Sequence, residues 1–375
     1  MIVAGEASGD MYGARLVEEA HRLDSSVRFF GIGGPAMRAA GVETLIDSKE
    51  MAVVGLIEVV AHFGVIYHAF KTLKNAIRES PPDLLILIDY PGFNLRIAAV
   101  AKKAGVRILY YITPQVWAWH ASRARKIANL VDHAAVIFPF EAPIFEKEGL
   151  PVTFAGHPLI DMAVPLMSRA EAQSDFRLSS ERRTVGLFPG SRKREITLLL
   201  PIMLESASRL KKSYPDLQFI LPLASSIDRK LLDPFLADSD IEVLVVEGRN
   251  YDVMQVCDAI IAASGTVTME IALFGIPMVI IYKVAELTYR LGQMLVNLDT
   301  YGICNIVAGR KIVQELIQHD VTSEKITAEI SRILSDESYA SNMRAQLLDV
   351  KRKLGEPGAA GRVAALALKM MELSA

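Results

Sequence analysis

The sequence predicts an α/β protein made of two Rossmann-like, doubly wound parallel-sheet domains. Three observations carry that expectation. Strand-like and helical runs alternate from end to end, the strand-like runs are continuously apolar, and 375 residues exceed the size at which a single core keeps growing. A strand with one wet face alternates apolar and polar residues. Runs such as LLILI at 84–88 and AIIA at 259–262 do not, so both of their faces must be covered by helices, as in βαβ architecture.

In chain order, a short strand at 1–4 opens into GEASGD, 5–10, where Gly5 and Gly9 permit tight turning and Glu6, Ser8 and Asp10 set polar groups beyond the strand. The shortness of that strand suggests native residues upstream. A second strand at 27–30 runs into GIGGPAM, 31–37. Neither loop has the spaced G-x-G-x-x-G fingerprint with an acidic residue about twenty positions on, so nicotinamide binding is demoted. The apolar stretch 51–70 contains Glu58, His62 and His68, with Gly55 and Gly64 inside it. Spanning a membrane would bury those costly groups, so it reads as an amphipathic or interfacial segment.

Strands follow at 84–88, 106–112 and 134–138. Asp89 ends the first of these, beside Pro91-Gly92, so its carboxylate stands at the carboxyl end of a parallel strand and can accept a proton from a hydroxyl nucleophile. An aspartate that satisfies turn amides is the competing reading. The segment TPQVWAW, 113–119, holds both tryptophans and precedes SRARK, 122–126; it lines either a core or a cleft for an apolar ligand with a negative headgroup. His157, in AGHP, either orients a substrate or packs at a hinge. A composition shift over 157–183, from irregular HPLIDMAVPLMS to polar SRAEAQSDFRLSSERR, marks a boundary. The expected division is 1–165, 166–350 and a terminal helix at 351–375 that packs back on the first domain.

The second half has strands at 184–188, 217–221, 241–246, 259–262 and 277–281. The first delivers PGSRKR, where Gly190 lets backbone amides approach an anion while Ser191 and Arg192 stand at the strand's carboxyl end, with Lys193 and Arg194 beside them. After 259–262 comes ASGTVTME, in which Ser264 is expected to cap a helix, Gly265 and Thr266 to offer free amides to phosphate, and Glu270 to reach a ribose diol. Asp238-Ser239-Asp240 has the D-x-D form of some metal sites but precedes its strand, so it reads as a solvated turn; no metal and no cofactor are expected.

Forty-one basic against 43 acidic residues give a net charge of -2, which argues against nucleic-acid binding driven by bulk charge. An apolar content of 51% with a mean hydropathy of +0.28 instead favours contact with a membrane surface. No secretory leader is evident, and Cys257 and Cys304 show neither metal spacing nor a disulfide framework, so a cytoplasmic location is expected. Whether the chain forms a homo-oligomer is left open.

Together GEASGD at 5–10, IDYPGFN at 88–94, TPQVWAW at 113–119, AGHP at 155–158, PGSR at 189–192 and ASGTVTMEIA at 263–272 closely resemble the lipid A disaccharide synthase family, in order and over nearly the whole chain. The resemblance implies a GT-B fold with an interdomain cleft and a C-terminal helix that crosses back. It implies an inverting glycosyl transfer from UDP-2,3-diacylglucosamine to 2,3-diacylglucosamine 1-phosphate, giving a β-1,6 disaccharide phosphate and UDP, by a protein peripheral to the inner membrane. Asp89 then matches the proposed base and Arg192 the partner of the leaving diphosphate. Gly190, Ser191, Ser264, Gly265, Thr266, Glu270 and Asn305 fall on the nucleotide-sugar side; Glu6, Ser8, Asp10 and His157 fall on the acceptor side. The apolar 51–70 stretch, with Lys71, Lys74 and Arg78 beyond it, becomes a surface for acyl chains and anionic lipid. Thr113, Gln115 and Tyr90 depart from the commonest pattern, which bears on acyl selectivity. A UDP-sugar epimerase on the same scaffold, or a nucleotide-sensing module without catalysis, are the competing classes.

Overall fold

A computed structural model describes residues 1–51, 63–119, 122–224, 226–284 and 300–372. The chain forms two compact units, Met1–Asp161 with Leu354–Ala375, and Met162–Lys353.

The first unit holds a seven-stranded sheet of β1 (Ile2–Ala4), β2 (Phe30–Gly33), β3 (Glu43–Asp47), β4 (Leu84–Ile88), β5 (Arg107–Tyr111), β6 (His133–Val136) and β7 (Val152–Phe154). Every pairing is parallel and the order is β3-β2-β1-β4-β5-β6-β7. The β-branched and leucine-rich strands are buried on both faces: all of Leu84–Ile88 lies inside, and each such side chain stabilises the fold by roughly 1.5–3 kcal/mol. The chain order reverses between β1 and β4, which are paired at Ala4 and Ile88. That makes their carboxyl ends a topological switch point, where a crevice opens because the connections leave in opposite directions.

The second unit repeats the plan with β8 (Thr184–Phe188), β9 (Gln218–Leu223), β10 (Leu244–Glu247), β11 (Ala259–Ala263), β12 (Met278–Tyr282) and β13 (Gln314–Ile317), all parallel, in the order β10-β9-β8-β11-β12-β13. Its reversal lies between β8 and β11, paired at Phe188 and Ala262. The terminal helix Ala359–Glu372 packs on the helix Ala7–Leu23. It is stapled there by Arg362, which donates to the carbonyls of Ala155, Glu356 and Pro357, and by Asp161, which accepts from the amides of Gly358 and Ala359.

Three strands escaped the sequence reading: β3, β7 and β13. All are sheet edges, and their runs ETLID, VTF and QELI are only partly buried, so no continuous apolar stretch announces them. The strand expected at 27–30 begins only at Phe30 and runs into the glycines. Of the apolar 51–70 stretch, residues 52–62 lie outside the described residues; beyond them Phe63–Glu79 is a helix. Among the described residues no helix is long and apolar enough to cross a membrane.

Candidate active site

Both switch points carry the polar loops that the sequence singled out. In the first unit, Gly5-Glu6 leaves β1 and Asp89 leaves the adjacent β4, each one residue past the last paired position. Asp89 and Tyr90 both take φ of 45°, and Ile112, just past β5, takes 58°. Left-handed backbone at non-glycine residues costs of order 1–3 kcal/mol each, more so at a β-branched one, and persists only where surrounding structure imposes it. Here the Asp89 amide donates to the carbonyl of Ile112 at 3.2 Å, and its own carbonyl accepts from Asn94 Nδ2 at 2.7 Å and from the Tyr110 hydroxyl at 2.8 Å. The Tyr90 ring lies so close over Gly5 that a Cβ there would meet it at 2.5 Å, so only glycine fits. The Tyr90 hydroxyl donates to the carbonyl of Met51 at 2.9 Å.

The outcome is a carboxylate in an environment that resists charge. Burial, then the neighbouring Glu6 charge, push Asp89 up to about 6, against a backbone hydrogen bond from Tyr90 that acts the other way. A base with that value is ionised at neutral pH yet basic enough to receive a proton. A second buried carboxylate, Glu141, went unnoticed in the sequence. It follows β6 in the short turn Pro139–Glu141, accepts from the Phe138 amide at 3.1 Å and from Trp117 Nε1 at 3.3 Å, and is pushed up to about 7, chiefly by burial. Its signal was present: an acid just past the carboxyl end of a buried strand, hidden because FPF reads as more strand. The Trp117 ring meets Phe140 edge-on, Phe140 stacks on Phe138, and Phe138 lies 5.3 Å from the His157 ring, so this edge is an aromatic wall backed by a carboxylate.

Two residues expected on the acceptor side lie inside the first unit. Asp10 is buried, and its carboxylate accepts the amides of Gly34, Ala36 and Met37 at 2.6–3.0 Å, so it braces the second glycine-rich loop. His157 is also buried: Nδ1 accepts from the Leu159 amide, its backbone N–H donates to the Leu354 carbonyl, and burial lowers it to about 4, which keeps the ring neutral at pH 7. Glu6 is exposed and Ser8 half-buried, in the first turn after β1.

In the second unit the β8 turn and the β11 turn stand on neighbouring strands. Arg192 is exposed, and its guanidinium pairs with Glu195 Oε1 at 3.0 Å. The amides of Ser191 and Arg192 donate to Glu195 Oε2 at 3.0 and 3.2 Å. Gly190 takes φ of 106°, and a Cβ there would collide with that same carboxylate. An anion therefore already occupies the cradle, and it is the protein's own.

Ser264 does not cap the following helix, which spans Val267–Leu273 with Thr266 before it. The Thr268 amide and hydroxyl both turn back to the Gly265 carbonyl instead, which starts the helix two residues later than Ser264 would. Among the described residues the amides of Gly265 and Thr266 take no hydrogen bond, and both residues are exposed. Glu270, largely buried and raised by that burial, accepts from the Tyr251 hydroxyl at 3.2 Å. The resemblance puts Asn305 on the nucleotide-sugar side. It is fully buried, its Nδ2 donates to Val313 and Glu315, and its Oδ1 accepts from Ile312 and Val313, which leaves its amide committed to the loop before β13. Among the described residues no group of three His, Cys, Asp or Glu side chains is placed to hold a metal ion.

Two parallel Rossmann-like sheets, each with its polar loops at the switch point, define the GT-B class of α/β protein. Among solved structures the fold is similar to a UDP-GlcNAc 2-epimerase from Neisseria meningitidis bound to UDP-GlcNAc (TM-score 0.68, 14% identity, 98% of this chain and 99% of that one). It is likewise similar to a kitacinnamycin glycotransferase (TM-score 0.64, 16% identity, 96% and 95%). At such identities the likeness concerns the fold. The model of the lipid-A-disaccharide synthetase family matches residues 1–367. Lipid-A-disaccharide synthases of Geobacter metallireducens and Geobacter sulfurreducens are each 60% identical over 371 residues, covering 99% of this chain and 97% of theirs; that of Nitrosococcus oceani is 46% identical, covering 99% and 96%. The chain belongs to the lipid-A-disaccharide synthetase family and is a glycosyltransferase.

Proposed function

We propose that this enzyme transfers the diacylglucosamine of UDP-2,3-diacylglucosamine to the 6-hydroxyl of 2,3-diacylglucosamine 1-phosphate, with inversion. The hydroxyl oxygen attacks the anomeric carbon, Asp89 takes its proton, and the bond to the diphosphate breaks with UDP as leaving group. The observation that carries this reading is Asp89: a switch-point carboxylate raised to about 6, on a backbone turn that costs energy to hold.

Arg192 and the amides of Gly265 and Thr266 are read as the groups that stabilise the charge gathering on UDP, with Gly190, Ser191 and Ser264 shaping their loops and Glu270 facing the ribose. The free amides after β11 and the exposed guanidinium support this. Glu6 and Ser8 border the acceptor. The helix Phe63–Glu79, with Lys71 and Arg78 exposed and Lys74 half-buried, supports peripheral attachment to anionic lipid on the cytoplasmic face of the inner membrane. Incubation with the acylated UDP-sugar, with and without the acylated glucosamine phosphate, tests the reaction. UDP release that depends on acceptor is expected; release without acceptor, which would mean transfer of the sugar to water, overturns the reading.

A further inference from the structure

Asp89 sits in a turn that a non-glycine residue adopts only under constraint, and the constraint can be traced to two side chains. Asn94 and Tyr110 are both fully buried. Asn94 Nδ2 donates to the carbonyls of Ile88 at 3.1 Å and Asp89 at 2.7 Å, and the Tyr110 hydroxyl donates to the same Asp89 oxygen at 2.8 Å. The two donors reach it from different elements, Asn94 from the helix Pro91–Lys103 and Tyr110 from β5. A single amide would fix one direction; two donors from two elements fix the peptide plane, and with it the rotation about Asp89 that aims the side chain. The hydroxyl is a permanent donor, because burial holds its proton well beyond the usual tyrosine range.

We infer that Tyr110 and Asn94 are positioning residues for Asp89, gripping its carbonyl oxygen so that the left-handed turn presents the carboxylate to the acceptor hydroxyl. The inference rests on Asp89 as the base. Neighbouring Tyr111 supplies an internal control: it is equally buried, yet its hydroxyl has no hydrogen-bond partner among the described residues. Tyr110→Phe and Tyr111→Phe therefore delete the same atom at adjacent positions of one strand, one with a grip on Asp89 and one without.

The test measures kcat and KM with both acylated substrates, and thermal midpoints, for Tyr110→Phe, Tyr111→Phe and Asn94→Ala, and repeats Tyr110→Phe in an Asp89→Asn background. Misaiming a base costs rate rather than binding, so Tyr110→Phe is expected to lower kcat about tenfold with KM for the nucleotide sugar within about twofold. Asn94→Ala should follow in the same direction, and Tyr111→Phe should keep its kcat. In the Asp89→Asn background, Tyr110→Phe should cost nothing more. Equal kcat for the two phenylalanine variants, or an undiminished loss in the Asp89→Asn background, overturns the proposal. Full turnover by Asp89→Asn alone overturns the assignment of the base, and the positioning role falls with it.

Discussion

The two switch points are built alike and charged oppositely. At β1 and β4 the loops bring together carboxylates, Glu6 and Asp89, with Glu141 buried behind an aromatic wall and a strained turn beneath. At β8 and β11 they bring a guanidinium and open amides. The same topology thus carries opposite charge, because the strand order fixes only where loops converge and their side chains decide what they attract. The first edge raises the proton affinity of an acid; the second presents donors suited to an anion. Inverting transfer needs one of each, since a nucleophile must lose a proton while a diphosphate gains charge.

Asp89→Asn breaks the contrast most severely. On the proposed reading, loss of the general base removes roughly 10²–10⁴-fold in turnover, while UDP affinity, assigned to the other edge, stays within about twofold. Stability moves the other way. The folded pKa of Asp89 lies above its unfolded value, so its contribution is fully favourable only below about pH 4 and is lost as pH rises through about 6. At pH 8 the asparagine variant is therefore expected to be more stable by about 1–2 kcal/mol, after allowance for partial exposure, which calorimetry measures as a rise of a few degrees. A variant that is both inactive and less stable would identify Asp89 as a structural turn residue.

Arg192→Ala attacks the opposite edge, and turnover should fall roughly 10–100-fold with weaker UDP binding by calorimetric titration. Glu195→Gln sharpens the same point with a smaller effect of opposite sign. Glu195 holds the amides of Ser191 and Arg192 and the Arg192 guanidinium, so it competes with any diphosphate for those donors. Glutamine keeps the helix-capping geometry without the charge, and UDP should bind about two- to fivefold tighter. Unchanged or weaker binding would confine Glu195 to capping its helix.

Much of this was legible in the sequence for a physical reason. Central strands of a doubly covered sheet must be apolar throughout, so LLILI at 84–88 and TVGLF at 184–188 announced themselves, and the polar residues just past them were findable by position alone. What sequence could not give was the direction in which a polar side chain spends its hydrogen bonds. Asp10 and Asn305 stand in suggestive motifs, yet each turns inward to backbone groups that would otherwise be unpaired. Glu195 lies three residues beyond Arg192, and only the fold of the turn reveals that it fills the cradle. Glu141 was hidden by its apolar neighbours. For Asp10, Asn305 and Glu195 the deciding partners include backbone amides, which are common to nearly every residue and leave no trace in composition.

Glu6→Gln offers the mildest and most discriminating perturbation of the first edge. Glu6 is exposed, touches Asp89 only through its charge, and ranks behind burial as a cause of the raised pKa. Because a like charge disfavours ionisation, neutralising it lowers the Asp89 pKa, and the acid limb of the pH profile, expected near 6 in the parent, moves towards lower pH. The displacement should be less than about one unit and should shrink as salt rises, since the pair is partly solvated. Burial persists in the variant, so the limb should remain above the range of a free aspartate. A limb that does not move would mean that the titrating group is not Asp89, with Glu141 next to be tested because burial pushes it to about 7; a limb that falls fully to the free value would mean that Glu6, rather than the closed turn beneath Asp89, sets the base.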